Sequence, residues 1–241
     1  IYARDGVDDF EAVVSGLVEL CHRHEDYVHQ HTEFLLSALA WERHQSQASY
    51  LLMGEPRLRA QTWLTTEFAT GQPPCSPSLL QADFITESIK AASGGMTQVF
   101  ISYAEEDLTT KELVRYHLLQ SGITVWTNTT GIRTGEDFEV AIQRGIEEAD
   151  NVVYLITQAA LDSEYCQFEI NQALDLNKRI IPLLVEEIDL HNLPDNIRKI
   201  QFIKLADNKT ASDLETDLAE LLRTIRREAP YHSQHKQLLV R

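Results

Sequence analysis

Cysteine is scarce in this chain: Cys21, Cys75 and Cys166 are the three in 241 residues. An odd number spread so widely makes no disulfide framework and fits reduced thiols in a cytoplasmic protein. There is no run of about 18 apolar residues and no secretory signal pattern, so no membrane-spanning or exported segment is expected. Basic charge is also short. Against 37 Asp and Glu stand 21 Lys and Arg, a formal net charge of −16, which repels phosphate backbones and anionic lipid surfaces. Neither nucleic acid nor a membrane is therefore expected as a partner, although net charge does not describe a single cleft. The Walker and Gly-x-Gly-x-x-Gly phosphate loops are missing, which argues against classical NTP hydrolysis and hydride transfer. The chain lacks an initiator Met and starts inside a patterned segment, as expected of a piece of a longer polypeptide.

Hydrophobic residues make up 43% and charged ones 24%, the balance of a globular protein able to bury a core. From Asp8 to Arg43 apolar residues recur at helical spacing (Phe10, Val13, Val14, Leu17, Leu20, then Phe34, Leu35, Ala38, Leu39), predicting one or two amphipathic helices. Further helices are expected from about Pro56 to Phe68 and from Ser78 to Ala92, separated by Gly71-Gln72-Pro73-Pro74 and closed by Ser93-Gly94-Gly95. The pattern then changes to short β-rich runs alternating with helices, the mark of a parallel sheet covered on both faces. Strands are expected at Gln98–Ser102, Thr124–Thr127, Asn151–Ile156, Ile180–Val185 and Ile200–Leu205. Helices are expected at Lys111–Ser121, Asp137–Glu148, Glu164–Leu176 and Ala211–Arg227. The fold class is thus α/β: a flavodoxin-like, five-stranded parallel sheet with an all-helical N-terminal extension.

A shift of 204 residues pairs Val7–Ser37 with Ala211–Arg241. Identities fall at Asp9/Asp213, Glu11/Glu215, Leu17/Leu221, Arg23/Arg227, Tyr27/Tyr231, Gln30/Gln234, His31/His235 and Leu35/Leu239. Eight matches in 31 pairs exceed the roughly two expected at typical residue usage. Amphipathic helices inflate such scores, so common origin and shared helical composition both remain as readings. Under common origin, residues 1–25 are the last helix of a preceding α/β domain. The expected organisation is a helical connector over 1–95, an α/β domain over 96–229, and the start of a second connector over 230–241.

Several short runs carry a more specific signal. Val99-Phe100-Ile101-Ser102-Tyr103 ends a buried strand in polar residues at the sheet's carboxyl edge, where open α/β sheets bind ligands. Gly122-Ile123-Thr124-Val125-Trp126 forms the second strand, followed by a long loop from Thr127 to Phe138 containing Gly131, Ile132, Arg133 and Gly135. Ser163-x-Tyr165-Cys166-x-x-Glu169 opens a helix, and Ile180-Ile181-Pro182-Leu183-Leu184 forms the fourth strand. In this order and spacing, Met96 to about Glu228 resembles a TIR domain of the bacterial, NAD-cleaving type. A phosphoacceptor receiver of the same layered fold would need an Asp ending the central strand, where this chain has Ile156-Thr157-Gln158.

The resemblance implies that Glu169 is the catalytic glutamate of an NAD glycohydrolase or cyclase. Cleavage of the nicotinamide–ribose bond passes through an oxocarbenium-like state that a carboxylate stabilises. Nicotinamide leaves as a neutral amide, so a second, acidic carboxyl is not required. NAD is then a substrate, and no cofactor or metal is expected. Tyr165 precedes Glu169 by one helical turn and stands where active relatives often have Trp; it either stacks on a ligand ring or anchors the helix. Ser102 and Tyr103 would line the crevice mouth or cap the next turn. Trp126 is a candidate ligand contact but reads more readily as core. Asn128 stands where many relatives have Asp and can hydrogen-bond without supplying a carboxylate. The resemblance gives Gly131, Ile132, Arg133 and Gly135 to a loop that packs TIR domains together, with Arg133 contacting a neighbour or a phosphate, or simply solvated. Self-association and flanking domains of the parent chain are the expected partners, in immune or cell-death signalling. The alternative is a non-catalytic TIR scaffold. His22, His24, His29 and His31 lack the spacing by which a helix aims two ligands at one ion and read as solvated. Cys166 reads as a packing thiol.

Overall fold

The computed structural model describes residues 5–68, 73–94, 97–126, 137–205 and 211–227. Backbone contacts divide the chain into two compact units, Ile1–Ser88 and Ile89–Arg241.

In the first unit the periodic segment forms one continuous helix, α1 (Asp5–Arg43), because no Gly or Pro interrupts its second half. A short 3₁₀ turn at Ala48–Tyr50 leads to α2 (Gly54–Leu64), and α3 (Leu79–Ala92) begins in this unit and runs on past its end. The core is aromatic. Trp63 stacks on Tyr27 at 5.2 Å between centroids and lies 5.2 Å from Phe34, and its indole N–H donates to the Tyr27 carbonyl at 3.0 Å. Buried Gln81 donates to the His31 carbonyl at 2.8 Å. No described helix is long and apolar enough to cross a membrane.

The second unit is an open parallel sheet in the order β2-β1-β3-β4-β5. Its strands are β1 (Thr97–Ser102), β2 (Val125–Trp126), β3 (Ala149–Ile156), β4 (Arg179–Leu184) and β5 (Ile203–Lys204). Every strand pairing is parallel, as the alternating pattern predicts. β5 is shorter than expected, while the expected end of β2 at Thr127 lies outside the described residues. Between the strands lie α4 (Leu108–Gln120), α5 (Phe138–Glu148), α6 (Gln158–Asp162), α7 (Glu164–Asp175) and α8 (Asp195–Arg198), and α9 (Ala211–Arg226) follows β5.

Local chemistry fixes the turns that aim these helices. Asp137 accepts from the Glu139 amide at 2.9 Å to start α5, Thr157 accepts from the Ala160 amide at 3.0 Å to start α6, and Ser163 accepts from the Cys166 amide at 3.3 Å to start α7; each satisfies an otherwise orphaned helix donor. α4 ends in a Schellman turn: Ile123 N–H bonds to Leu118 O at 3.0 Å and Gly122 N–H to Leu119 O at 2.9 Å. Gly122 takes φ 72° there, a region open to glycine at no steric cost. α7 closes the same way with Asn177 at φ 51° and Lys178 N–H on Ala173 O at 2.8 Å. The segment expected as a second connector, 230–241, lies outside the described residues, as does the loop over 127–136.

Candidate functional site

Strand order reverses between β1 and β3, and at that switch point the carboxyl edge of a doubly wound sheet opens a crevice. A cleft of about 1060 Å³ lies there, at the upper end of the roughly 300–1,000 Å³ usual for small-molecule sites. The end of β1 and the turn after it line one side with Ile101, Tyr103, Ala104, Glu105 and Glu106. α5 contributes Phe138 and Ile142, and α6 with the start of α7 supplies Asp162, Ser163, Glu164, Tyr165 and Glu169.

Helix α7 buries Cys166, Ile170 and Ala173 against the sheet, a stripe at helical spacing. Tyr165 and Glu169, one turn apart, fall on the flank beside that stripe. Glu169 is half-buried, and the fully buried Ser102 at the end of β1 donates to its Oε2 at 2.6 Å. Burial pushes the Glu169 carboxyl up to about 7, against the opposing effect of the Ser102 hydroxyl. Desolvation outweighs one hydrogen bond here, as it does for carboxylates set in apolar surroundings. The same environment raises the Cys166 thiol, chiefly by burial, so Cys166 is held as a thiol rather than a nucleophilic thiolate. Tyr103 is pushed up by burial first and by the nearby Glu169 next.

Sequence reasoning therefore named residues that the fold distributes in three ways. Glu169, Tyr165 and Tyr103 line the cleft; Ser102 lies beneath it, bonded to Glu169. Trp126 is 4% exposed and is not a lining residue. It stacks on Phe100 at 5.0 Å between centroids, a core position. Asn128, Gly131, Ile132, Arg133 and Gly135 lie outside the described residues.

One lining residue, Phe138, and one residue beside the lining, Lys111, carried no recognised signal. Phe138, the first residue of α5, is 43% exposed and meets the 62% exposed Tyr165 edge to face at 5.9 Å. An apolar residue directly after an N-cap, facing water, was the signal available in the sequence. Lys111 lies with its Nζ 5.2 Å from the Tyr103 ring centre and also bonds Glu112 at 2.6 Å. The cleft is otherwise acidic: Glu105, Glu106, Asp162, Glu164 and Glu169 line it, and no Lys, Arg or His does so among the described residues. Such a surface attracts a cationic ring and repels a phosphate. A partly desolvated carboxylate in a cleft that also holds an exposed aromatic pair can stabilise positive charge developing on a bound group.

A family model described as "TIR domain" matches residues 99–222. A curated relative from Brachypodium distachyon, named "Probable 2′ cyclic ADP-D-ribose synthase BdTIR", is 28% identical over 109 residues, 44% of this chain and 49% of the relative. The chain thus spans about half the length of that relative. Among solved structures, the TIR domain of the Toll-related receptor TRR-2 of Hydra magnipapillata has a TM-score of 0.46 at 20% identity, over 54% of this chain and 99% of that one. A metazoan TIR-STING receptor from C. gigas has a TM-score of 0.43 at 23% identity, over 51% of this chain and 39% of that one. With the family model spanning half of its length, this chain belongs to the TIR domain family.

Proposed function

We propose that this TIR domain cleaves the nicotinamide–ribose bond of NAD, with Glu169 as the catalytic carboxylate, and that packing of neighbouring TIR domains switches the reaction on. The observation that carries this reading is the half-buried Glu169 carboxyl, bonded by the Ser102 hydroxyl at 2.6 Å in the cleft that the Phe138–Tyr165 pair also lines. The name of the Brachypodium relative, "Probable 2′ cyclic ADP-D-ribose synthase BdTIR", supports cleavage of the same nicotinamide–ribose bond.

The nicotinamide of NAD is a pyridinium cation, which suits a cleft lined by carboxylates and an exposed aromatic pair. As the C1′–N bond breaks, its electron pair leaves with nicotinamide, which departs neutral. Positive charge moves onto the ribose, and ionised Glu169 stabilises it. Water then attacks and releases a proton, or a ring nitrogen of the substrate's own adenine attacks and closes a cyclic product. The pyrophosphate has no cationic partner among the described lining residues, and Lys111, beside Tyr103, is already paired with Glu112, so a further cation is required. Arg133 of the same chain or a residue of a packed neighbour would serve. That requirement links turnover to assembly.

The same acidic lining favours a second reading, a TIR scaffold that assembles without turnover. Liquid chromatography of NAD and its products, on dilute and concentrated protein, separates the two. Catalysis predicts loss of NAD that rises faster than protein concentration, with ADP-ribose or a cyclic isomer appearing in step with nicotinamide. No turnover in protein shown by sedimentation to be assembled would leave the scaffold.

A further inference from the structure

A second pocket, of about 310 Å³, lies on the other side of α7 from the Glu169 cleft. Gln167 and Asn171, which line it, follow Tyr165 and Glu169 by two residues, about 200° further around the helix. Leu161, Ile170, Leu193 and Pro194 form its apolar walls. Its floor is Tyr154 of β3, 3% exposed, whose hydroxyl makes no hydrogen bond among the described residues. The hydroxyl is not among the buried side-chain atoms left without a partner, so it opens on the pocket, where a ligand acceptor can take the place of water. Around it stand three carboxamides. Gln167 spends its N–H on the Leu161 carbonyl at 2.8 Å and keeps its oxygen as an acceptor. Asn171 and Asn192, both exposed at the mouth, have no side-chain partner among the described residues. No charged residue lines the pocket, which excludes a phosphate or a metal ion as its natural occupant. At under a third of the volume of the Glu169 cleft, it is too small for a whole dinucleotide.

We propose that this pocket is a second ligand site, taking a small uncharged heteroaromatic ring with a carboxamide or amino-substituted edge, whose acceptor receives the Tyr154 hydroxyl and whose remaining polar edge meets Asn171 and Asn192. Nicotinamide and adenine share that chemistry and are the two probes. Tyr154 is paired in register with Ser102 of β1, the residue whose hydroxyl donates to Glu169, so the pocket and the Glu169 cleft meet at neighbouring strand positions.

Isothermal titration calorimetry of the full chain with each probe separately tests the proposal, in wild-type protein and in Tyr154→Phe, Asn171→Ala and Tyr165→Ala. One of the two probes is expected to bind the Tyr165→Ala chain as it binds a wild-type site, and about tenfold more weakly in Tyr154→Phe and in Asn171→Ala, the loss expected for one hydrogen bond to a ligand. Tyr154→Phe keeps the ring and removes a hydroxyl without a partner, so its melting temperature should match that of wild type, and Asn171 is at the surface. Absence of binding by both probes overturns the proposal. Binding abolished by Tyr165→Ala but indifferent to Tyr154→Phe and Asn171→Ala also overturns it, because the ligand would then sit in the cleft. Heat of binding is read without turnover, so failure of the NAD-cleavage reading leaves this test intact.

Discussion

Glu169 is costly to the fold in the form its proposed role requires. Its carboxyl is raised from about 4.5 to about 7, so the folded state holds a proton that the unfolded state has released. The resulting stability is fully present below about pH 4.5 and lost as pH rises through about 7. Glu169→Gln carries no such penalty. The variant should match wild type near the lower pH and exceed it by up to about 3 kcal/mol at pH 8, at about 1.4 kcal/mol per pKa unit, measured by urea unfolding at both values. A residue that weakens the fold where it works is a familiar pattern of functional sites. Ser102 acts in the opposite direction by favouring the ionised carboxylate. Wild-type NAD cleavage should rise with pH to half its plateau near pH 7, because the reaction uses the anion. Ser102→Ala should move that rising limb to higher pH while the plateau falls less, read from kcat/KM against pH. A limb that stayed in place would remove Ser102 from the account.

At the scale of the elements, the site depends on how α5 packs over β1 and β3 and against Trp126 of β2. Gly145 on α5 faces the buried indole of Trp126, and a Cβ added there would overlap the ring, with Cδ2 at 2.7 Å. Gly145→Ala gains about 1 kcal/mol of helix propensity but must displace a buried ring, and such overpacking costs about 1–3 kcal/mol. Net destabilisation is expected in a denaturant melt. An unchanged or higher midpoint would mean that the Trp126 position adapts freely. The long elements were legible in the sequence because each carries many turns of its own period: the five strands and the helices α4, α5, α7 and α9 fall within a few residues of expectation. Helices α6 and α8, at five and four residues, are too short to show a period. The cleft was legible in part. Glu169, Tyr165 and Tyr103 could be placed at the carboxyl edge from strand ends and helix spacing, whereas Phe138 needed the meeting of α5 with α7, and Tyr154 of the second pocket needed the depth of β3. Neither relation is local in sequence.

For the whole molecule, charge and assembly are one problem. A chain of net charge −16 repels its own copies over about 8–10 Å at ordinary salt, so self-association has to be won at specific contacts. The cleft is acidic among its described lining residues, so under the proposed reaction the pyrophosphate of NAD needs a cation beyond them. Turnover per chain should therefore increase with protein concentration, in parallel with the assembled fraction seen by sedimentation velocity. A constant specific activity across that range would contradict activation by packing while leaving the chemistry at Glu169 untouched. That chemistry is the central claim, and it is tested most directly by nicotinamide release at pH 8 from concentrated wild type and Glu169→Gln, with unfolding followed on the same samples. Release by wild type is expected, and none above background from a variant that is at least as stable. Equal release by both proteins would contradict it.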